Sequence, residues 1–166
     1  AILSILLPAF ALPQVDESVR DFKRYFKKSK DPLERVEFIL ALEKIDSPDV
    51  AKALLPVLRD KDPNVLRAVD TVLAKLPSEN ARQPFAKIFE KGKAGPSLYA
   101  GLKAAARGGW HEHRENIRLF LTHKEADARL WSVVYAGKWG DKEALPLLVP
   151  LVTDDKIGIV RVAGVD

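Results

Sequence analysis

The sequence predicts an all-α fold, a right-handed α–α superhelix of about five stacked helical hairpins. Three observations predict it. The apolar residues fall on helical stripes, the stripes come in pairs separated by a tight turn, and the pair recurs at a spacing of about 31 residues.

The clearest pair runs from Ser47 to Leu76. Val50, Ala53, Leu54, Val57 and Leu58 are spaced i, i+3, i+4, i+7, i+8, one apolar face of a first helix. Asp60-Lys61-Asp62-Pro63-Asn64 interrupts it, with Asp62 placed to cap the next helix and Pro63 at its first position. Val65, Val69, Val72, Leu73 and Leu76 form the second stripe, and Pro77-Ser78 ends it. Helices this short cannot bury such stripes alone, so the hairpin needs neighbours of its own kind.

The chain supplies them. LPVLRDKDPNVLRAV (55–69) aligns without a gap on VPLVTDDKIGIVRVA (149–163), Pro56 on Pro150, Asp60 on Asp154, Val65 on Ile159 and Arg67 on Arg161. A copy 31 residues back sets Asp31-Pro32 on Asp62-Pro63, and Phe38, Ala41, Leu42 and Ile45 on Val69, Val72, Leu73 and Leu76. A weaker copy ahead holds Asp127-Ala128-Arg129, then Trp131, Val134 and Tyr135. Between them lies a degenerate unit with Phe85, Ile88 and Phe89, then Leu102, Ala105 and Ala106, its register loosened by Gly92, Gly95 and Pro96.

The turn residues Asp31-Pro32, Asp62-Pro63, Asp127 and Asp155, each followed by Ala, Val and Leu at helical spacing, resemble the HEAT-repeat family, especially its short bacterial form. The resemblance spans Val15 to the end and implies an architecture and a role in protein interaction or scaffolding, not a chemistry. In that family an Asp and an Arg of each unit form a ladder between repeats. By resemblance its members here are Asp62, Arg67, Arg129, Asp155 and Arg161.

Taken in order, residues 1–13 (AILSILLPAFALP) stand outside the repeat, uncharged and without a stripe. With Ala9-Phe10-Ala11 they resemble the apolar core and cleavage site of a signal peptide, too short for the ~20 residues of a membrane span. A leader there predicts a periplasmic or extracellular bacterial protein. If the segment instead packs on the first repeat, a cytoplasmic location follows. Residues 14–166 form the repeat domain. Its first helix sets Val15, Val19, Phe22 and Phe26 on one face and Arg20, Lys23, Arg24, Lys27 and Lys28 on the other. That is a solenoid cap, or else a basic helix for an anionic membrane surface. The partner helix ends around Ile45, and Asp46-Ser47-Pro48 connects to the reference hairpin. The third unit starts near Ser78, turns through Lys91 to Gly95, and continues in the small-residue helix Tyr99 to Arg107. Gly108-Gly109-Trp110 precedes the fourth, Gly137-Lys138-Trp139-Gly140 closes it, and Glu143 to Val152 opens the fifth. The equivalents of Leu73 and Leu76 would fall beyond Asp166, which predicts an excerpt truncated at its C-terminus and a last helix frayed from Ile157 onward.

Chemistry is nearly absent from the pattern. There is no cysteine, no phosphate-cradling loop, no G-x-S-x-G and no H-E-x-x-H. No catalytic residue, cofactor or metal site is expected, and the segment is not predicted to be an enzyme. His111 and His113 point about 200° apart on a helix, wrong for one ion, and are expected as exposed residues opening it. Trp131 is expected in the core. Trp110 and Trp139, in Gly-flanked turns about one period apart, are partner-binding candidates with Lys23 and Lys27, the alternative being that each tryptophan tucks under its own turn. The net charge is +4, and the basic residues concentrate in the first helix with acids interspersed elsewhere, which disfavours a nucleic-acid partner. The sequence thus predicts a protein-interaction or scaffold module with a concave surface built by the second helices. The alternative is a nucleic-acid-binding or DNA-repair repeat protein. The expected partner is another protein, with a membrane surface a second option through the basic first helix. No small-molecule substrate is indicated.

Overall fold

A computed structural model describes residues 14–156, together with Gly158 and Ala163. The leader expected over 1–13 lies outside the described residues, as do Arg161 and the fraying expected from Ile157. Among the described residues the ordered elements are all helical. They are α1 (Gln14–Phe26), α2 (Pro32–Leu40), α3 (Pro48–Leu54), α4 (Pro63–Ala74), α5 (Glu79–Arg82), α6 (Pro84–Lys91), α7 (Pro96–Gly108), α8 (Arg114–Leu119), α9 (Ala126–Lys138) and α10 (Leu145–Asp154). They form antiparallel hairpins: α1 with α2, α3 with α4, α5 and α6 with α7, and α8 with α9. The helix α10 opens a fifth.

Local chemistry explains the starts. Asp31, Ser47, Asp62 and Ser78 each sit extended at a helix N-cap and accept backbone N–H groups that the helix leaves free. Asp62 accepts two, from Asn64 at 2.8 Å and Val65 at 3.2 Å. Pro32, Pro48 and Pro63 occupy the first turn, where a missing N–H costs nothing.

The first helices of the second, third and fourth hairpins are not continuous. The α-helical bonding of α3 stops at Leu54, and a 3₁₀ turn, Leu55–Arg59, carries the stripe on to Val57. Pro56 is the cause, since it donates no hydrogen bond and its ring crowds the carbonyl four residues back. Pro84 likewise separates α5 from α6. The end of α2 also differs from the sequence expectation. It stops at Leu40, and Leu42, Glu43 and Ile45 then donate to carbonyls three residues back. Tightening the turn rotates the face, so Ile39 is fully buried while Ala41 is exposed.

The second helices α2, α4, α7 and α9 lie side by side, each packed along the next, while the first helices meet over fewer residues. The tightest stretch is α7, where Ala100, Gly101, Ala104, Ala105 and Ala106 are buried. A Cβ on Gly101 would stand 2.7 Å from the Phe85 ring. The main core runs from Val19 to Tyr135, with Val65, Val69, Val72 and Leu73 of α4 fully buried near its middle. A second cluster of Leu121, Val133, Ala136 and Ala144 joins the fourth hairpin to α10, with Leu147, Leu148, Leu151 and Ala163 against it.

Candidate functional site

Two arginines tie a second helix to the first helix of the following hairpin. Arg35 of α2 pairs with Asp60, which closes the 3₁₀ turn after α3. Arg129 of α9 pairs with Asp155, which closes α10: Nη2 donates to Oδ1 at 2.9 Å, and Nη1 donates to the carbonyls of His123 and Lys124 at 2.8 and 2.9 Å. The bond to Asp155 holds the Arg129 guanidinium above its usual range. Both arginines stand four residues after their helix's cap, Asp31 and Glu125.

Arg67, expected in this ladder, is not part of it. It stands five residues after Asp62, about 100° further round the helix, and is exposed on α4. Leu66 holds the bridging position. Asp62 caps its own helix rather than bridging units. The residues missed in the sequence are Arg35 and Asp60, and counting from the cap rather than aligning the repeats would have found Arg35. The gapless alignment is also one residue out here, since the structural counterpart of Asp60 is Asp155 and not Asp154.

The tryptophans belong to the junction of the third and fourth hairpins. Trp110 is fully buried, its ring 5.0 Å from that of Phe85 and 6.2 Å from that of His113. Its carbonyl accepts the Tyr135 hydroxyl at 3.2 Å. Burial raises the pKa of that phenol. Trp110 is therefore no partner-contact residue. Trp139 is half-buried: its indole N–H donates to the Ala106 carbonyl at 2.9 Å, and its ring lies where a Cβ on Gly109 would be, 2.8 Å away. Gly109 has φ +69°, so glycine is required there twice over. Trp131, expected in the core, is half-buried on α9, with Lys103 Nζ 5.5 Å from its ring centroid.

The histidine expectation needs the same correction. His113 is buried at 7% exposure, because the chain enters α8 through a 3₁₀ turn, His111–His113, that turns this ring inward. Burial lowers its pKa, against the opposing effect of Glu112. His111 is exposed, its ring edge-on to Trp139. Among the described residues no group of three or more His, Asp or Glu could hold a metal, and no helix is long and apolar enough to cross a membrane.

Open surface lies elsewhere. On the second-helix layer a groove of about 480 Å³ separates α2 from α4, lined by Leu33, Val36, Leu40, Arg67, Ala68 and Thr71. Leu33 is 70% exposed and Leu40 40%. Further along the layer Asp70 of α4 pairs with Lys103 of α7, which covers Trp131. Lys23 and Lys27 are exposed at the opposite layer, Lys23 on α1 and Lys27 just beyond it.

Stacked helical hairpins with continuous second helices, interrupted first helices and arginine bridges between units define a helical-repeat solenoid. Residues 22–97, just under half of the chain, match the family model described as HEAT repeats, and that stretch supports a HEAT-repeat protein. No curated protein matches it. HEAT repeats generally mediate protein–protein interaction or scaffolding, and proteins built from them are typically non-enzymatic.

Proposed function

We propose that the protein is an interaction module that binds another protein along its second-helix layer. Second helices that pack along more of their length than the first helices do support taking that layer as the concave side. The observation that carries the reading is the α2–α4 groove, where Leu33 and Leu40 stand exposed beside Arg67, a cation in no ion pair among the described residues. Exposed leucines on a repeat surface otherwise invite aggregation, and a mixed apolar and cationic row suits the core of a protein interface. A nucleic acid is the less favoured partner. Arg35, Arg82, Arg118 and Arg129 are all taken by carboxylates, which removes them from phosphate binding.

The test compares wild-type protein with a Leu33→Glu, Leu40→Glu variant. Both are immobilised and exposed to extract from the source cells, with and without nuclease. The expected result is at least one nuclease-resistant protein retained by the wild type and lost by a variant with the same melting temperature. Equal retention by both forms, or retention abolished by nuclease, counts against the reading.

A further inference from the structure

The first-helix layer carries a separate trough. Its first part lies between α1 and α3 and encloses about 450 Å³ over a floor of Phe22, Phe26, Ala53 and Val57. Its second part encloses about 430 Å³ over Leu55 and Pro56 and ends at Pro96 and Ser97, the start of α7. Lys52, Pro56 and Arg59 line both parts, so the two adjoin around the 3₁₀ turn that Pro56 imposes.

The rim is cationic. Lys23 stands on the α1 side, Lys52 and Arg59 on the other. Among the described residues one carboxylate lines the trough, Asp60, and Arg35 takes it while lying 4.4 Å from the Phe26 ring. Lys52 shares the exposed Asp49 at 2.9 Å, a weak pairing in water. Lys23 and Arg59 have no carboxylate partner among the described residues. An apolar floor beneath an unneutralised cationic rim is complementary to a chain that alternates carboxylates with an apolar side chain.

We propose that this trough binds an acidic segment of a partner protein. One aromatic or aliphatic side chain of that segment sits on the Phe22–Phe26–Val57 floor, with carboxylates against Lys23 and Arg59. Two adjoining compartments in a row suit an extended chain better than a compact metabolite. Phe22 is recessed at 5% exposure and the half-buried Phe26 ring has the Arg35 guanidinium 4.4 Å from its centroid, which disfavours stacking on bases or insertion into a bilayer. This surface is on the other layer from the α2–α4 groove and does not depend on it.

The test is fluorescence anisotropy with four labelled acidic peptides of roughly a dozen residues, Glu- and Asp-rich, each with Phe, Leu, Trp or Val at the centre. Matched peptides carry Ser at the centre, or Lys in place of the acids. At least one acidic apolar peptide is expected to bind, more weakly as salt rises. Lys23→Glu with Arg59→Glu should weaken it roughly tenfold or more, and Lys23→Gln with Arg59→Gln by less. These side chains are exposed, so the melting temperature should not move. Leu33→Glu should leave the peptide's affinity unchanged, which separates failure here from failure of the second-helix reading. The proposal is overturned if none of the four peptides binds, if the Ser-centred peptide binds equally, or if charge reversal has no effect. It is also overturned if a single-stranded oligonucleotide or phosphatidylserine vesicles bind through Lys23 and Arg59 and displace the peptide.

Discussion

His113 places a titratable ring where water does not reach, and its consequence is a pH dependence of stability. Burial lowers its folded pKa below the usual 6.5, while Glu112, a hydrogen bond with the Arg82 backbone and Glu79 oppose the shift and the Arg82 charge adds a smaller effect to it. Between the folded and unfolded values the unfolded chain binds more protons. The contribution of the neutral ring is therefore complete above about pH 6.5 and is lost as pH falls toward the folded pKa. Urea midpoints measured from pH 7.5 down to 5 should fall more steeply for the wild type than for His113→Leu, by at most about 1.4 kcal/mol per pH unit. Parallel curves would show that His113 is not the group responsible. The glycines give a second comparison on the same scale. Gly137 on α9 has open space around its missing Cβ, so Gly137→Ala should stabilise by about 0.4–1 kcal/mol. On Gly108 a Cβ would lie 2.3 Å from the Ala74 carbonyl oxygen, a backbone atom that cannot swing aside. Gly108→Ala should destabilise by about 1–3 kcal/mol despite the better helix propensity. Thermal unfolding of the two variants reads the opposite signs directly.

At the scale of the element, caps and prolines divide the labour. Asp62 satisfies two amides at the start of α4, and Asp62→Ala should cost about 1 kcal/mol, with faster amide exchange in the first turn of that helix. An unchanged exchange rate there would mean that water replaces the cap without loss. Pro56 has the opposite role, breaking a helix rather than starting one. The resulting 3₁₀ turn brings Val57 under the core at 7% exposure and leaves Arg59 outside on the rim of the first-helix trough. The small residues of α7 set how closely the third hairpin can approach its neighbours, and Trp110 and Trp139 fill what that approach leaves at its end.

Over the whole molecule, stability comes from each hairpin's burial and from the contacts that couple it to the next. Leu73 is fully buried in the central hairpin, and Leu73→Ala should cost ~2–5 kcal/mol in urea unfolding. Coupling is tested by two arginines. Arg129→Ala removes the guanidinium bridge to Asp155, whose side chain is 2% exposed, and should cost about 1–3 kcal/mol, with amide protection lost first in α10. Arg67→Ala touches no such bridge and should stay within about 0.5 kcal/mol of wild type. Equal costs for the two would mean that the bridges between hairpins do not carry the coupling.

The sequence by itself determined the hairpins, their period, the faces of α3 and α4, and the cap at Asp62. These follow from residues close together in the chain, where an apolar stripe or an Asp-Pro pair acts within one or two turns. It also carried enough of the repeat to point to the HEAT family. Counting from the caps already separates Arg35 from Arg67 by about 100° around the helix axis, but only the tertiary structure decided that the position four residues after the cap faces a carboxylate of the next hairpin. Only it decided that Trp110 and His113 are inside, since their burial depends on how near α7 lets the fourth hairpin come. The two grooves arise the same way, one from the side-by-side setting of α2 and α4, the other from the turn Pro56 imposes against α1. Each depends on distances between elements, and those are set by the packing of side chains that stand far apart in the chain.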